Sequence, residues 1–279
     1  FAQGEYARCA DLAGQLAVHE AAERSPALLV EALVLASRSH RASGQLLAAR
    51  SWSRRAMEAA QDEDPDVRMD ACIAHVSALA EMGDLAEAAD AADELAGLRS
   101  HISSEHGQGV IAWTLGNLAM LGGDVDAALV EYDLALRHIR PEVDLRRWAR
   151  LHKAVATTLL GVDRVDGVGE HLDVALSALR VVGNPSDLTE LRTQQAMLEL
   201  AQGRPEQAEA LLRHCLDDVA MDESPRLAAD ALRALHRVLL ALGRDDEARI
   251  TLRHAAERYE AAGALTLALQ TWRSLATAD

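Results

Sequence analysis

A period of about forty residues runs through the chain and restricts its fold more than any other feature of the sequence. Turn-forming residues recur at spacings of 39 or 40, and they are Gly4, Gly44, Gly83, Gly123, Asp163, Gly203 and Gly243. A small or apolar residue stands five positions after each turn: Cys9, Ala49, Ala88, Ala128, Val168, Ala208 and Ala248. A second such column stands twelve positions after it: Leu16, Ala56, Leu95, Ala135, Ala175, Cys215 and Ala255. Two columns in register over seven units predict an array of stacked structural repeats.

Each repeat is predicted to form two helices joined by a tight turn. Glycine supplies the left-handed conformation that ends the first helix, and the acidic or amide residues that follow favour the start of the next one. Small residues in the two columns let antiparallel helices approach closely. Because nothing in the pattern is typical of a strand, the sequence predicts an all-α fold, a right-handed superhelical solenoid of about seven antiparallel helix pairs.

The positions of the turns predict where the helices lie. Second helices of each pair are expected near 5–22, 45–62, 84–100, 124–139, 164–182, 204–220 and 245–262. First helices are expected near 26–43, 65–82, 102–122, 142–161, 185–202 and 224–242, with a proline at or beside most of their starts. We expect one continuous array over 1–279, with a partial first repeat at 1–24 and a last helix, 264–277, as the C-terminal cap. Since the sequence starts in the middle of a repeat, we expect it to be part of a longer chain.

The composition excludes several classes of partner. The 28 basic and 44 acidic side chains give a net charge of −16, and an acidic chain repels phosphate backbones. We therefore expect no direct nucleic-acid contact by this segment, and no membrane contact because no run of eighteen apolar residues occurs. Cys9, Cys72 and Cys215 are far apart, which favours a reducing, cytoplasmic location. Cys9 and Cys215 fall in the two columns, where a packing role is expected.

Motifs that carry chemistry are absent from the sequence. It contains no GxxxxGK[ST], no GxGxxG after a strand, no GxSxG and no HExxH. Among the 11 histidines no pair lies four residues apart on one helix with a third ligand nearby. We predict no enzymatic activity, no cofactor and no metal.

The segment from Trp113 to Leu136 resembles the tetratricopeptide repeat consensus. The matching residues are Leu115 and Gly116 in the first helix, Gly123 and Asp124 at the turn, and Ala128, Tyr132, Ala135 and Leu136 in the second helix. Pro141 falls where that family has its terminating proline. The resemblance implies a module that binds a peptide or a protein, with helices longer than those of the standard thirty-four-residue repeat.

The C-terminal segment AAERYEAAGALTLALQTWRSLA, residues 255–276, resembles the end of repeat arrays in actinobacterial helix-turn-helix transcriptional regulators. That resemblance implies the ligand-sensing or dimerisation region of such a regulator. The expected partner is a peptide or a protein, or a second copy of the chain in a homodimer. Any contact with DNA is then expected outside these residues.

In peptide-binding tetratricopeptide proteins the ligand faces the first helices, at positions about ten and six residues before the turn. At these positions the predicted ligand-binding residues of the concave face are Arg38, Trp113, Asn117, Lys153, Thr157, Arg233 and Arg237, and Arg150, thirteen residues before its turn, is predicted to join them. Trp113 is the expected apolar anchor, and Asn117 is expected to bind peptide N–H and C=O groups. Arg150, Lys153, Arg233 and Arg237 are suited to a carboxylate or to acidic side chains.

Two other interpretations remain open at this level. The cations at 153, 233 and 237 are similar to the carboxylate clamp of co-chaperone tetratricopeptide domains, which suggests a scaffold or co-chaperone-type adaptor. The clamp needs adjacent repeats, however, and Thr193 with Met197 interrupts it. Alternatively, these residues form an ordinary solvated face, with Trp113 packed between repeats.

Overall fold

The computed structural model describes residues 6–19, 24–218 and 225–276, and every regular element in these ranges is helical. The chain forms two compact units, 1–139 and 140–279. The predicted all-α fold of antiparallel helix pairs is confirmed. The further expectation of one continuous array over the whole chain stays a prediction.

The first unit contains seven described helices. They are α1 (Tyr6–Ala17), α2 (Pro26–Ala42), α3 (Leu46–Ala59), α4 (Pro65–Met82), α5 (Leu85–Leu98), α6 (Glu105–Leu121) and α7 (Val125–His138), with a short 3-10 turn at Arg99–His101. The second unit contains seven more. They are α8 (Leu145–Gly161), α9 (Val168–Val182), α10 (Pro185–Ala201), α11 (Pro205–Asp218), α12 (Pro225–Ala241), α13 (Asp245–Ala261) and α14 (Leu265–Ala276).

Within each unit the helices alternate between two layers. A second helix that lies between two first helices of its own unit packs on both of them, as α3 does on α2 and α4. Successive first helices also touch each other, α2 on α4 and α4 on α6 in the first unit, and α8 on α10 and α10 on α12 in the second. The first helices of each unit therefore form a layer of their own, which presents the predicted ligand-binding columns.

The two small-residue columns are the tightest part of the core. From the second repeat onward every member of both columns is 0% exposed, from Ala49 and Ala56 to Ala248 and Ala255. Cys215 is one of these residues, so its thiol packs as a small apolar group, as predicted. Helix pairs that meet on alanine lie close together, and this close approach explains an interior built with so few aromatic residues.

Three helices begin later than the turn spacing predicts, and local capping explains two of the differences. The Ser104 side chain accepts a hydrogen bond from the Gly107 N–H, so α6 begins at Glu105. The Asp144 carboxylate accepts one from the Arg147 N–H at 2.9 Å and fixes the start of α8. In the third case Gly167 has a φ of 77°, which delays the start of α9 to Val168.

Candidate ligand-binding face

Three of the predicted ligand-binding residues lie in the first unit. Arg38 projects from α2 and forms an ion pair with Asp70 of α4 at 2.9 Å, with the side chains 29% and 52% exposed. The guanidinium thus links two successive first helices across the layer. An exposed ion pair of this kind stabilises the fold by about 0–1 kcal/mol, so a ligand carboxylate would compete with Asp70 at little cost.

Asn117 is held by the second helix of its own repeat. The Tyr132 hydroxyl donates a hydrogen bond to its Oδ1 at 2.8 Å, and the Tyr132 ring is completely buried. A Cβ on Gly116 would stand 2.8 Å from that ring, so only glycine leaves room for it. The Asn117 amide is therefore fixed in position, and its NH2 group is the part that is suited to a ligand carbonyl.

Trp113 lies one helical turn before Asn117 on the same face of α6 and is half-buried. Its indole Nε1 is shielded from solvent and has no hydrogen-bond acceptor among the described residues. A buried N–H donor without an acceptor costs about 1–3 kcal/mol. Trp113 and Asn117 together give the first unit an apolar ring beside a fixed amide.

The other five predicted residues lie in the second unit, and two of them face acidic partners on α10. The Arg150 Nε donates a hydrogen bond to the Asp187 Oδ1 at 2.6 Å. Lys153 forms an ion pair with Glu190, and the lysine side chain is only 14% exposed. Two of the four cations predicted to meet a ligand carboxylate are therefore already bound to carboxylates of the protein.

Asp187 is the most constrained of these acids because it also caps α10. Its carboxylate accepts a hydrogen bond from the Asn184 N–H at 3.2 Å, while the Asn184 side chain accepts one from the Asp187 N–H at 2.8 Å. Burial by itself would raise the pKa of Asp187, but the hydrogen bond and charge of Arg150, the Asn184 N–H and the charge of Lys153 bring that pKa below its ordinary value. Asp187 is thus ionised at neutral pH and holds Arg150 in place.

Thr157 and the two C-terminal arginines complete the predicted set. The Thr157 hydroxyl donates to the Lys153 carbonyl of its own helix at 2.9 Å, which leaves its methyl and its oxygen lone pairs for a neighbour. Arg233 and Arg237 are exposed on one face of α12, and neither forms a hydrogen bond or an ion pair with a described residue. They are the two predicted cations whose charge is not already neutralised by direct contact.

The acid that precedes these arginines on α12, Asp230, is bound by two side chains of the protein. The Asp230 Oδ1 accepts a hydrogen bond from the buried Tyr259 hydroxyl at 2.6 Å, and its Oδ2 lies 3.1 Å from the Arg226 Nε. Burial would raise the pKa of Asp230, but the charges of Arg226 and Arg233 and the Tyr259 hydroxyl lower it below its usual range. The ionised Asp230 therefore joins α12 to α13 through Tyr259. The side chains of Arg233 and Arg237 remain exposed to solvent.

Sequence reasoning missed one polar cluster in the second unit. His152 of α8 and His171 of α9 bring their Nδ1 atoms to 2.8 Å, and the Trp148 ring meets His152 edge-on at 4.6 Å between centroids. Burial and the neighbouring His171 lower the pKa of His152 to about 4. The two histidines stand 19 residues apart, so no single-helix spacing rule relates them. Only the repeat register, which places both histidines at the contact between a first and a second helix, could have predicted that they meet.

No group of three or more metal-ligating side chains occurs among residues 6–19, 24–218 and 225–276. None of the helices in those ranges is long and apolar enough to cross a membrane.

The helix pairs, the turn residues and the layer of first helices form a helical-repeat fold similar to that of tetratricopeptide repeat proteins. Among solved structures the chain is similar to PlcR from Bacillus thuringiensis, with a TM-score of 0.62, 13% sequence identity and coverage of 82% of each chain. A tetratricopeptide repeat protein from Parabacteroides merdae matches with a TM-score of 0.47 at 13% identity, covering 89% of this chain and 92% of that one. Yeast Tom70 matches with a TM-score of 0.48 at 16% identity, covering 96% and 59%. No family model matches the sequence, and no curated protein does.

Proposed function

We propose that this chain is a non-catalytic module that binds a peptide or protein segment on its first helices. We propose further that it serves as the ligand-sensing or dimerisation region of a bacterial transcriptional regulator. The observation that carries the proposal is the state of Arg233 and Arg237. They lie one helical turn apart, exposed, with no hydrogen bond or ion pair to a described residue.

Two unpaired guanidinium groups on one helix face suit a carboxylate. Bidentate contacts from arginine to a carboxylate are among the stronger hydrogen bonds available to a ligand. Most other cations of the first-helix layers are engaged, as Arg38 is by Asp70 and Lys153 is by Glu190. The favoured ligand class for the second unit is therefore a peptide with a free C-terminus or an acidic side chain.

The first unit suits a different part of such a peptide. Trp113 provides a half-buried apolar ring, and Asn117 is fixed beside it by Tyr132. Such a pair suits a peptide backbone carbonyl with an apolar side chain next to it. Both proposals use the same class of ligand, a short extended peptide.

The regulatory part of the proposal is supported by the likeness in fold to PlcR. That protein has been solved in complex with the peptide PapR7 and DNA. A chain of similar fold, with two exposed arginines on one of its first helices, is suited to sensing a peptide.

Calorimetric titration with synthetic copies of the short secreted peptides of the source organism tests the proposal. We expect saturable binding that weakens at least tenfold in the double variant Arg233→Gln/Arg237→Gln. Arg253→Gln is the matched control. Arg253 is exposed on the second helix α13, so its substitution removes a positive charge away from the layer of first helices. Equal binding by the double variant and the wild type, or no binding by any peptide, would overturn the proposal.

A substitution of Lys153 distinguishes the proposed peptide site from the clamp of a co-chaperone-type adaptor. A co-chaperone-type clamp would use Lys153, whereas its ion pair with Glu190 removes it from our site. Lys153→Ala is thus expected to leave peptide affinity within about twofold of the wild type. Loss of capture in Lys153→Ala, with Arg233→Gln/Arg237→Gln unaffected, would favour the adaptor instead.

A further inference from the structure

Successive repeats within each unit are joined differently on their two sides. The first helices pack directly on one another, α2 on α4 and α10 on α12. No comparable packing joins the second helices α3 and α5, or α11 and α13, among the described residues. The packed first helices are therefore suited to act as a hinge, and the second-helix side depends on side chains that reach from one repeat to the next.

Four charged side chains connect α3 and α5 in the first unit. The Arg50 guanidinium forms ion pairs with Asp84, at 3.6 Å, and with Glu87. Arg54 binds the same glutamate at 2.9 Å. Both arginines lie on α3, whereas Glu87 lies in the first turn of α5 and Asp84 immediately precedes that helix. These four residues, the first charge cluster, thus tie α3 to the start of α5.

Four charged side chains connect α11 and α13 in the second unit. Arg213 of α11 binds Glu247 of α13 at 2.6 Å. Arg244, which immediately precedes α13, binds Glu209 of α11 at 2.7 Å. Arg213 also pairs with Glu209, and Arg244 with Glu247. These four residues, the second charge cluster, therefore form a closed ring of alternating charge.

The two charge clusters occupy the same four positions of the repeat. These positions stand 6 and 10 residues after one turn and 1 and 4 residues after the next, and the turns are Gly44 and Gly83 for the first cluster and Gly203 and Gly243 for the second. Position 6 holds Arg50 in one cluster and Glu209 in the other. Position 1 holds Asp84 and Arg244, so the exchange keeps opposite charges facing each other. What recurs is the attraction between repeats rather than the residue.

The next pair of second helices, α5 and α7, has no such cluster. Its four equivalent positions contain no cation, and they hold Ala89, Asp93, Asp124 and Ala127. That pair is joined elsewhere, by Arg99 after α5 and Glu131 of α7 at 2.7 Å. The clusters therefore mark particular boundaries between repeats and are not a consequence of the repeat itself.

The charges of both clusters are only partly exposed to water. The side chain of Glu209 is 17% exposed and that of Glu87 is 34% exposed. Burial would raise the pKa of Glu209, but hydrogen bonds from Arg213 and Arg244 bring that pKa below its ordinary value. A network of several charges stabilises more than an isolated surface pair, and salt still weakens it by screening.

We propose that the two charge clusters are salt-sensitive latches between successive repeats. Each latch holds two repeats closed on the second-helix side, while the packed first helices act as the hinge. Screening of the charges releases the latch, so α3 moves away from α5, and α11 from α13. The net charge of −16 alone would give the opposite direction, because screening a general repulsion brings segments closer. Neither latch requires the proposed peptide ligand.

Double electron–electron resonance between spin labels on α3 and α5 tests the first latch. Labels at Glu58→Cys and Asp93→Cys, both exposed and outside the cluster, report the separation of these helices in a Cys9→Ser background. The two remaining thiols are buried. We expect the mean distance to grow by about 2 Å or more when NaCl is raised from about 20 mM to about 1 M. Control labels at Glu31→Cys and Asp66→Cys report the separation of the first helices α2 and α4, which is expected to stay constant.

A charge exchange tests the cluster itself. Arg50→Glu is expected to lengthen the distance between α3 and α5 already at low salt, because the new carboxylate repels Asp84 and Glu87. Adding Asp84→Arg recreates the charge pattern of the second cluster and is expected to restore the wild-type distance and its response to salt. The backbone accepts arginine there, since Arg244 has φ −102° and ψ 62°, close to the −83° and 62° of Asp84.

Arg137→Glu is the matched control for the charge reversal. It disrupts an exposed ion pair with Asp133 that lies within α7, so the distance between α3 and α5 is expected to stay that of the wild type. Circular dichroism checks that each variant keeps its helical content.

Two outcomes would overturn the proposal. A distance between α3 and α5 that stays constant or shrinks as NaCl rises would show that the charges do not hold the repeats closed. A double variant Arg50→Glu/Asp84→Arg that stays as open as Arg50→Glu would show that opposite charges at these positions do not form the latch.

Discussion

The helix pairs α6·α7 and α8·α9 are the equivalent pairs of two consecutive repeats. Their interfaces have different chemistry. In α6·α7, Gly116 makes room for the buried ring of Tyr132. In α8·α9 the equivalent positions hold Ala156 and Leu172, both buried, and the two histidines, His152 and His171, are in contact one turn away.

The difference teaches which part of the repeat is fixed and which part is free. The position five after the turn is 0% exposed in both pairs, as Ala128 in one and Val168 in the other. The facing residue must be small enough for whatever its partner helix brings, so glycine is required opposite tyrosine and alanine suffices opposite leucine. Around this contact the sequence is free to insert an apolar or a polar pair.

The largest effect on stability is expected when alanine, the residue that α8·α9 has at this position, replaces the glycine of α6·α7. Gly116→Ala would bring a Cβ to 2.8 Å from the Tyr132 ring and 3.2 Å from the Ala128 carbonyl. Because the ring is buried and the carbonyl belongs to the backbone, we expect a loss of about 3 kcal/mol in the free energy of unfolding. Urea denaturation followed by circular dichroism measures it.

The same substitution in a Tyr132→Leu background is the control for this prediction. That background supplies the combination found in α8·α9, so Gly116→Ala should cost less than about 1 kcal/mol there. Equal costs in the two backgrounds would show that the close approach to Tyr132 does not set the requirement for glycine.

The next largest effect concerns acid stability and belongs to α8·α9. Burial lowers the pKa of both His152 and His171, that of His152 to about 4. The folded state therefore binds fewer protons than the unfolded chain, so stability is constant above about pH 6.5 and falls as the pH drops from there towards 4. For His152 the loss between pH 7.5 and 5 is about 2 kcal/mol.

Thermal unfolding at several pH values compares the wild type with His152→Asn/His171→Gln, which lacks both titrating groups. We expect the variant to lose much of the dependence between pH 7.5 and 5. His75 in the first unit, whose pKa burial also lowers, supplies a remainder. An unchanged slope would mean that the paired histidines are not neutral in the folded protein.

The fold was predictable because its strongest determinants are local and repeat. Turn residues at spacings of 39 or 40 indicated the helix pairs and most of their limits. The candidate site was less accessible. The columns identified Arg150 and Lys153, but not that Asp187 and Glu190 on the next first helix neutralise them. Those pairs join residues 37 positions apart, and their geometry depends on how neighbouring repeats stack, which spacing alone does not fix.

A smaller effect distinguishes Asn117 from Thr157, which occupy the same column of the two first helices. Asn117 accepts a hydrogen bond from Tyr132 on the next helix, whereas Thr157 donates to its own helix. Tyr132→Phe is therefore expected to cost about 1 kcal/mol, and Thr157→Val about half of that or less. Thermal denaturation of the two variants measures both. Equal losses would mean that the hydroxyl of Tyr132 contributes no more than a contact within one helix.

The smallest effect concerns the turns that join these same pairs. Gly123 has a φ of 85°, while Asp163 has a φ of 55° and is the one non-glycine residue with positive φ among those described. A side chain in this region is strained, although aspartate tolerates it better than most residues. Asp163→Gly is therefore expected to stabilise the protein by about 0.5 kcal/mol, and Gly123→Asp to destabilise it by about 1 kcal/mol. Chemical denaturation measures both changes in the free energy of unfolding. Destabilisation by Asp163→Gly would show that the aspartate side chain stabilises the turn by more than its backbone strain costs.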